Sequence, residues 1–461
     1  MKINSSDIPK VIDTVVKNDL CIGCGLCVYK CPGKALEMKW NDFGFLVPKL
    51  VENCDANGAC LTVCPFNPYP LEEIKTENEL AEIYLKDACQ FHPKIGKYEN
   101  IYVGYANEFR ATSSSGGLAT FIMIELLERR IVDHIFSVRE STIPGVHYEY
   151  AISNNKQELL ASSKTKYFPV TLSTVFSKLN VLEGSVAIIG VACFIKAIRI
   201  AQYADPTLKK KIPFLIGIIC GGVKSRFFTE YLTIKCGVST KLCTKPEFRI
   251  KDKNSLASDY SFGCIDGNSN LKKTIKMRTV GDMWGTGLFK ANACDFCDDV
   301  TTELADISLG DAWLSPYNQD GKGNNVIVTR SVLAEKLMVE GTKENKLSLE
   351  QLSLNRFLSS QQGSFNHRHE GLSMRLNYAK KQNVAIAPKR FGNEIMCLDF
   401  KIVQKLRMKV RKKSLEVWEK NPESKLFDYL LTKDLKQIQW ATKIYHYRRA
   451  IKRRLTDIFS K

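Results

Sequence analysis

Four cysteines near the start of the chain stand at a spacing that suits one kind of chemistry. Cys21-Ile-Gly-Cys24-Gly-Leu-Cys27-Val-Tyr-Lys-Cys31-Pro32 reads C-x2-C-x2-C-x3-C-P. On a tight loop, three such thiolates wrap three irons of one cubane while the fourth points away, toward a second cluster. Gly23 and Gly25 let the backbone close round the sulfurs so that its N–H groups reach them. A zinc knuckle is normally built from two separate C-x2-C pairs. The spacing therefore predicts iron and sulfide.

A second run, Cys54-Asp-Ala-Asn57-Gly-Ala-Cys60-Leu-Thr-Val-Cys64-Pro65, repeats the pattern with Asn57 where its second cysteine belongs. Cys21, Cys24, Cys27 and Cys64 then serve one [4Fe–4S] cluster. Cys31, Cys54 and Cys60 serve the other, one thiolate short, and an amide oxygen is a poor substitute on iron. Three states fit that corner. One is a [3Fe–4S] cluster, or a four-iron cluster with a labile iron. Another is a four-iron cluster completed by water, hydroxide or the distant Cys89, which otherwise reads as a buried thiol. The last is an empty site. Between the runs, KALEMKW and FLVPKL flank Asn41-Asp-Phe-Gly44, a hairpin signal.

Four further cysteines need distant elements to meet. Cys193 follows an apolar run, SVAIIG, and opens a helical stretch; Cys220 follows another, FLIGII. Strand ends of this kind are where open α/β folds place their sites. Cys294 and Cys297 form a C-x2-C pair, which makes four thiolates, enough for one more [4Fe–4S] cluster. The plain alternative is that Cys193 and Cys220 are small core residues. Cys236, Cys243, Cys264 and Cys397 match no motif and read as structural. Ser113-Ser114-Ser115-Gly116-Gly117 precedes a helix from Leu118, and hydroxyls with free N–H groups at a helix start suit a phosphate. An ordinary serine N-cap would look the same. No GxGxxG occurs, so Rossmann-type nicotinamide binding has no support.

The elements carrying these residues read as α/β. IYVGYA, DHIFSVRE, SVAIIGV and FLIGIIC are strand-like, alternating with helical stretches, and imply a mixed sheet. The 461 residues divide into a ferredoxin-type dicluster segment with its connector (1–95), a central α/β domain (96–387) and a basic helical region (388–461). The net charge is +18, and residues 401–461 hold 18 Lys/Arg against 6 Asp/Glu, two-thirds of the excess. That tail reads as a packed helical hairpin or as a docking surface for an anionic membrane or an acidic protein, with nucleic acid less favoured. No apolar run is long enough to span a bilayer, and MKINSSDIPK has no leader-like core. Sixteen cysteines in such a chain point to metal or redox chemistry in the cytoplasm, or at the inner face of its membrane, rather than to disulfides.

Together the ferredoxin pair, Ser113–Gly117, Gly190-Val-Ala-Cys193, Cys220-Gly-Gly222, Cys294-Asp-Phe-Cys297 and Ala305-Asp-Ile-Ser-Leu-Gly-Asp-Ala-Trp313 resemble the family of coenzyme F420 hydrogenase/dehydrogenase beta subunits, across residues 15–330. That family also includes ferredoxin-linked reductases of chlorophyll metabolism. The resemblance implies a cluster on Cys193, Cys220, Cys294 and Cys297, and FAD held at Ser113, Ser114, Ser115, Gly116 and Gly117. Ser163-Lys-Thr-Lys-Tyr167 looks like the family's Ser-Lys-Tyr segment with two extra residues, which implies cofactor contacts at Lys166 and Tyr167, with Lys164 an alternative. Asp306 and Asp311 are implied to shape the site, whereas Trp313 reads as core. The implied function is an iron–sulfur flavoprotein oxidoreductase passing electrons from the ferredoxin-type clusters through a further cluster to FAD and a hydride-accepting small molecule. Coenzyme F420 is one candidate, and ferredoxin or another redox protein is the implied partner. The alternatives are a non-catalytic electron-transfer subunit and, more remotely, a redox sensor.

Overall fold

The computed structural model describes residues 8–55 and 57–459, with side chains through Ile451 apart from Ala56. The first seven residues, read above for a leader, lie outside the described residues. Asn41 turns the first hairpin: its Oδ1 accepts the Phe43 and Phe45 N–H groups at 3.1 and 2.9 Å, and Gly44 takes φ 70°. Strand β1 (Leu36–Trp40) thereby returns along β2 (Leu46–Leu50), antiparallel. In the connector, Thr76 and Glu79 form a reciprocal cap that starts the helix Glu77–Tyr84. A ribbon of β3 (Gln90–His92) and β4 (Gly96–Tyr98) follows.

The centre is an eight-stranded sheet. Its strands are β5 (Ile101–Ala106), β6 (His134–Glu140), β7 (Tyr148–Ser153), β8 (Val186–Val191) and β9 (Phe214–Ile218), then three strands further along the chain. Between them lies a separate antiparallel sheet of β10 (Cys243–Ile250), β11 (Ser261–Asp266) and β12 (Lys272–Lys276). The main sheet is completed by β13 (Ile307–Asp311), β14 (Asn325–Thr329) and β15 (Leu347–Gln351), in the order β15-β5-β14-β13-β9-β8-β6-β7. β6, β8, β9 and β13 run parallel and the flanking pairs antiparallel, so the sheet is mixed, as the apolar runs predict. The β8 and β9 runs are apolar on both faces because helices cover them, Ala192–Ala204 among them.

The cysteine-rich segment shares its core with the central domain: Ile22, Leu26 and Phe66 are buried with Phe176, Phe194 and Ile198. A second core joins the helix Arg226–Lys235, the β10–β12 sheet and the last two helices, Leu398–Lys420 and Ser424–Phe459. The basic tail is thus a packed hairpin along one side, with Val410, Trp418, Phe427 and Leu431 buried. Two cysteine readings need correction. Cys89 and Cys397 are exposed, so neither is a core thiol: Cys89 Sγ donates to the Asp87 carbonyl at 3.6 Å, and Cys397 immediately precedes the helix from Leu398, whose first residue is itself exposed. Among the described residues no helix is long and apolar enough to cross a membrane.

Trp418 is 1% exposed, its Nε1 donates to Glu230 Oε2 at 2.9 Å, and its ring meets Tyr231, Phe289 and Phe427. Trp418→Ala is expected to lower unfolding free energy by roughly 3–5 kcal/mol, read from urea midpoints. A loss below about 1 kcal/mol would mean that the tail does not share this core.

Candidate redox site

Gly25 takes φ 81° before the one-turn helix Leu26–Tyr29, and a Cβ there would stand 2.2 Å from Thr171 Oγ1. Only glycine lets the first cysteine loop seat on the central domain, where the Leu172 N–H donates to the Cys24 carbonyl at 2.9 Å. The Gly23 N–H faces Cys21 Sγ at 3.4 Å. Burial, then the Cys24, Cys21, Cys64 and Cys60 thiols around it, hold Cys27 well above the usual thiol range. Burial pushes Cys21 up to about 12 and Cys24 to about 11. Cys60 has Cys54 and Cys31 as its thiol neighbours. The structure thus brings Cys21, Cys24, Cys27 and Cys64 to one place and Cys31, Cys54 and Cys60 to an adjoining one. Asn57 is exposed and occupied locally. Its Oδ1 accepts the Ala59 N–H at 2.9 Å, and its Nδ2 donates to Asp55 Oδ2 at 2.8 Å.

The later cysteines also converge. Cys193, at the start of the helix after β8, has Cys297, Cys294 and Cys220 as neighbours, and also Cys24 of the first group. Backbone donors face these sulfurs: Gly222 N–H to Cys220 Sγ and Val223 N–H to Cys294 Sγ, both at 3.2 Å. Arg368, on a π-helical turn Asn366–Glu370, donates to Cys297 Sγ at 3.2 Å and to the Cys220 carbonyl at 2.5 Å. Burial works against its charge, but the Cys297, Cys220 and Cys294 thiols outweigh it and keep Arg368 protonated. The C-x2-C loop is held from behind, where Asp295 takes Lys290 at 2.6 Å and Arg411 at 2.9 Å.

Crowded buried thiols resist ionisation unless cations stand among them. Among the described residues no group of three or more His, Cys, Asp or Glu side chains closes on a single ion. Cubane ligands sit one per iron, more widely spaced than ligands sharing one ion. The donor sets, with N–H groups aimed at sulfur, fit iron–sulfur cores.

Beside the third thiol group lies a cavity of about 680 Å³, in the range of ligand sites. Cys220, Gly221 and Gly222 form part of its wall, and so do Ser113–Ser115, Lys164–Tyr167 and Ile22 of the first cysteine loop. Ser113 Oγ is buried without a partner. Ser114 Oγ accepts the Thr165 N–H at 2.9 Å and ties the serine loop to the Ser163–Tyr167 segment. The helix Leu118–Glu128 begins at Gly117, φ 86°, and its first N–H is taken by Asn325 Oδ1 at 3.3 Å, so no serine caps it. Gly116 lies where a Cβ would be 2.7 Å from the Gly104 carbonyl. Lys166 Nζ donates to the Ser163 carbonyl at 2.6 Å and to that of Ser162. Burial drives its pKa down to about 7, with Lys164 adding and Glu140 opposing. Lys164 itself pairs with Glu247 at 2.5 Å.

Trp313 needs correcting: it is 38% exposed and lines the cavity, because it follows the C-terminal end of β13, where the chain leaves the sheet. Asp311 lines the cavity and holds Arg249 at 2.5 Å, whereas Asp306 is tied to Arg199 and the Leu215 N–H inside the core. Sequence reasoning missed Arg249, whose Nε is buried without a partner, and Trp284, whose ring stands 4.7 Å from Tyr167. It also missed Arg368. Arg249 and Trp284 carry no spacing signal. Asn366-His367-Arg368-His369 does, since it holds two of the six histidines.

Residues 101–177 match the N-terminal part, and residues 184–354 the C-terminal part, of the coenzyme F420 hydrogenase/dehydrogenase beta subunit, while residues 20–68 match a 4Fe-4S dicluster domain. A coenzyme F420-dependent sulfite reductase of Methanocaldococcus jannaschii is 25% identical over 75% of this chain and 51% of its own, so the chain spans about half the length of that relative. One of the subunits of F(420)H(2) dehydrogenase from Methanosarcina mazei is 22% identical over 67% of this chain and 82% of its own. A chain of the F420-reducing [NiFe] hydrogenase complex from Methanosarcina barkeri aligns with a TM-score of 0.49 at 18% identity, covering 65% of this chain and 99% of that one.

Lys166 gives a pH signature. Its folded pKa lies below the free value, so between about pH 7 and pH 10.5 the unfolded chain holds one more proton, and stability rises with pH. The penalty is full below pH 7 and gone above 10.5. Lys166→Met is expected to remove about one proton, roughly 1.4 kcal/mol per pH unit, from that slope in urea melts. Lys251, depressed to about 8 chiefly by burial, and the buried Lys224 and Lys290, also held below the usual lysine range, keep their own part of it. An unchanged slope would place Lys166 in water.

Proposed function

Because the chain belongs to the family of coenzyme F420 hydrogenase/dehydrogenase beta subunits, we propose that it is an iron–sulfur flavoprotein oxidoreductase acting on a hydride-accepting small molecule, with coenzyme F420 the first to test. One observation carries this reading: Cys220 belongs both to the third thiol group and to the wall of the large cavity. Clusters exchange single electrons, and a flavin converts between one-electron and two-electron transfer. In this reading Cys21, Cys24, Cys27 and Cys64 hold one cluster; Cys193, Cys220, Cys294 and Cys297 hold another. Cys31, Cys54 and Cys60 hold a cluster lacking its fourth thiolate, a [3Fe–4S] centre, because Asn57 spends its oxygen on Ala59. The serine loop, with Ser113 Oγ free, receives the FAD pyrophosphate. Lys166 and Arg249 face the same cavity, where an anionic cofactor would favour the protonated form of Lys166 and share Arg249 with Asp311. The division at residues 95 and 387 stays part of this reading.

The second reading, a non-catalytic subunit of a larger redox complex, draws support from the Methanosarcina mazei relative, which is named as a subunit. Iron, sulfide and flavin assays on anaerobically purified protein should give about eleven irons and one FAD per chain. Asn57→Cys should add one iron and remove the three-iron EPR signal of oxidised protein. Absence of flavin would eliminate the flavoprotein reading. Flavin without turnover from an artificial donor would favour the non-catalytic role.

The outward face of the helix Ser424–Phe459 carries Tyr429, Trp440 and Tyr447, at 77, 70 and 70% exposure, among the exposed Lys433 and Lys436. Aromatic rings with lysines suit an anionic bilayer surface. The protein is expected to sediment with phosphatidylglycerol vesicles at low salt and Trp440→Glu to release it. Equal recovery with neutral phosphatidylcholine vesicles would count against recognition of an anionic surface, and no recovery with either would count against a membrane role.

A further inference from the structure

A second cavity, of about 450 Å³, lies between the central domain and the two C-terminal helices. Phe400, Val403 and Arg407 reach it from one helix, and Gln439, Thr442 and Lys443 from the other. The opposite side is the loop Asp282–Thr286 and the turn Gly363–Arg368. Trp284, Gly363 and Ser364 line both this cavity and the larger one, so the two share a wall.

Its charge is unbalanced. Arg407 turns one nitrogen, Nη2, to the Trp284 carbonyl at 3.3 Å, and its Nε is buried without a partner. Lys443 stands at the mouth, exposed, and no ion pair engages either residue among the described residues. Among the described residues the one carboxylate in the lining is Asp282, which accepts the Trp284 and Gly285 N–H groups at 3.1 and 2.6 Å. Burial works against the Arg407 charge; Asp295, outside the lining, and Asp282 favour it from a distance, but neither pairs with it. His367 is already placed between Lys290 and Gln404, and Arg368 is committed to Cys297. A guanidinium taken out of water without an anion is unfavourable, and a bidentate oxyanion relieves it.

Resting on the flavoprotein reading, we propose that this second cavity seats the hydride-accepting substrate by a phosphate or carboxylate group on Arg407 and Lys443, with its reacting part directed past Trp284 into the larger cavity. The residues that supply it lie beyond residue 354, where the family match ends. The seat therefore belongs to this chain's own C-terminal helices.

Calorimetry on the full-length protein, titrated with inorganic pyrophosphate in one arm and citrate in the other, tests the anion seat. Saturable binding in at least one arm is expected, and the tighter arm names the oxyanion. Arg407→Gln should weaken that binding about tenfold or more and the exposed Lys443→Gln about threefold, while Lys253→Gln, at an exposed lysine outside both cavities, leaves it unchanged. If Arg407→Gln does not fold, Lys443→Gln decides alone. No binding below about 10 mM, or equal binding by wild type and Lys443→Gln, overturns the proposal. The measurement needs no flavin. A flavin-free protein that still binds pyrophosphate would refute the flavoprotein reading and leave the anion seat standing.

Discussion

Burying many thiols at close quarters is the constraint on which the rest of the structure depends. Each thiol taken from water loses the hydration that would stabilise its ionised form, and its neighbours raise the cost further. Such a set persists only if it is held from outside and given compensating positive charge. The holding is visible at every group. Gly25 fits under Thr171, Gly222 and Val223 direct N–H groups at sulfur, and Arg368 brings a guanidinium to Cys297. The C-x2-C loop in turn depends on Asp295, which is neutralised by Lys290 from its own segment and Arg411 from the last helical pair.

The same constraint accounts for the way the parts are joined. A freely tethered ferredoxin module would leave its clusters at variable distance from anything else. Here the Cys24 carbonyl is bonded to Leu172, Ser225 Oγ donates to the Phe43 carbonyl at 2.6 Å, and one apolar core runs across both segments. Cys24 and Cys193 are consequently close enough to influence each other. A buried ion network reinforces the join. Glu77 of the connector pairs with Lys196, and Arg390, just before the C-terminal helices, pairs with Glu303 and reaches Glu77 and Asp298. Removing one member would strand its partners without water, so the network resists partial opening.

Much of this is legible in the sequence because it is local. The ferredoxin spacing, the Asn41–Gly44 turn and the apolar runs of β5, β6, β8 and β9 each declare themselves within a dozen residues. What escapes is made by residues that meet only in three dimensions. β10–β12 interrupt the α/β pattern: β10 is broken by Pro246, β11 is short and carries Gly263, and β12 is mostly lysine, so no sustained apolar alternation marks them. Arg249 on β10 and Trp284 beyond β12 reach the large cavity from that sheet and its loop, and nothing in their neighbours shows it. Trp313 misleads for the opposite reason: a tryptophan side chain suggests burial, but its position two residues past the C-terminal end of β13 decides.

The basic C-terminal region shows why charge counted along a chain does not settle what the charge does. Its cations fall into three environments. Arg411 is buried against Asp295 and holds a cysteine loop; Lys409 and Lys413 both pair with Asp434 and join the two helices. Lys433 and Lys436 face outward beside exposed aromatic rings. Only that last set acts as a charged surface in the usual sense. Arg407 stands apart from these sets: the residue is half-buried, its Nε is wholly buried without a hydrogen-bond partner, and it makes no ion pair among the described residues. The other cations that this region sends into the core, Lys389, Arg390 and Arg411, have each found a carboxylate. That asymmetry at Arg407 is what turns a gap between helices into a place where an anion belongs.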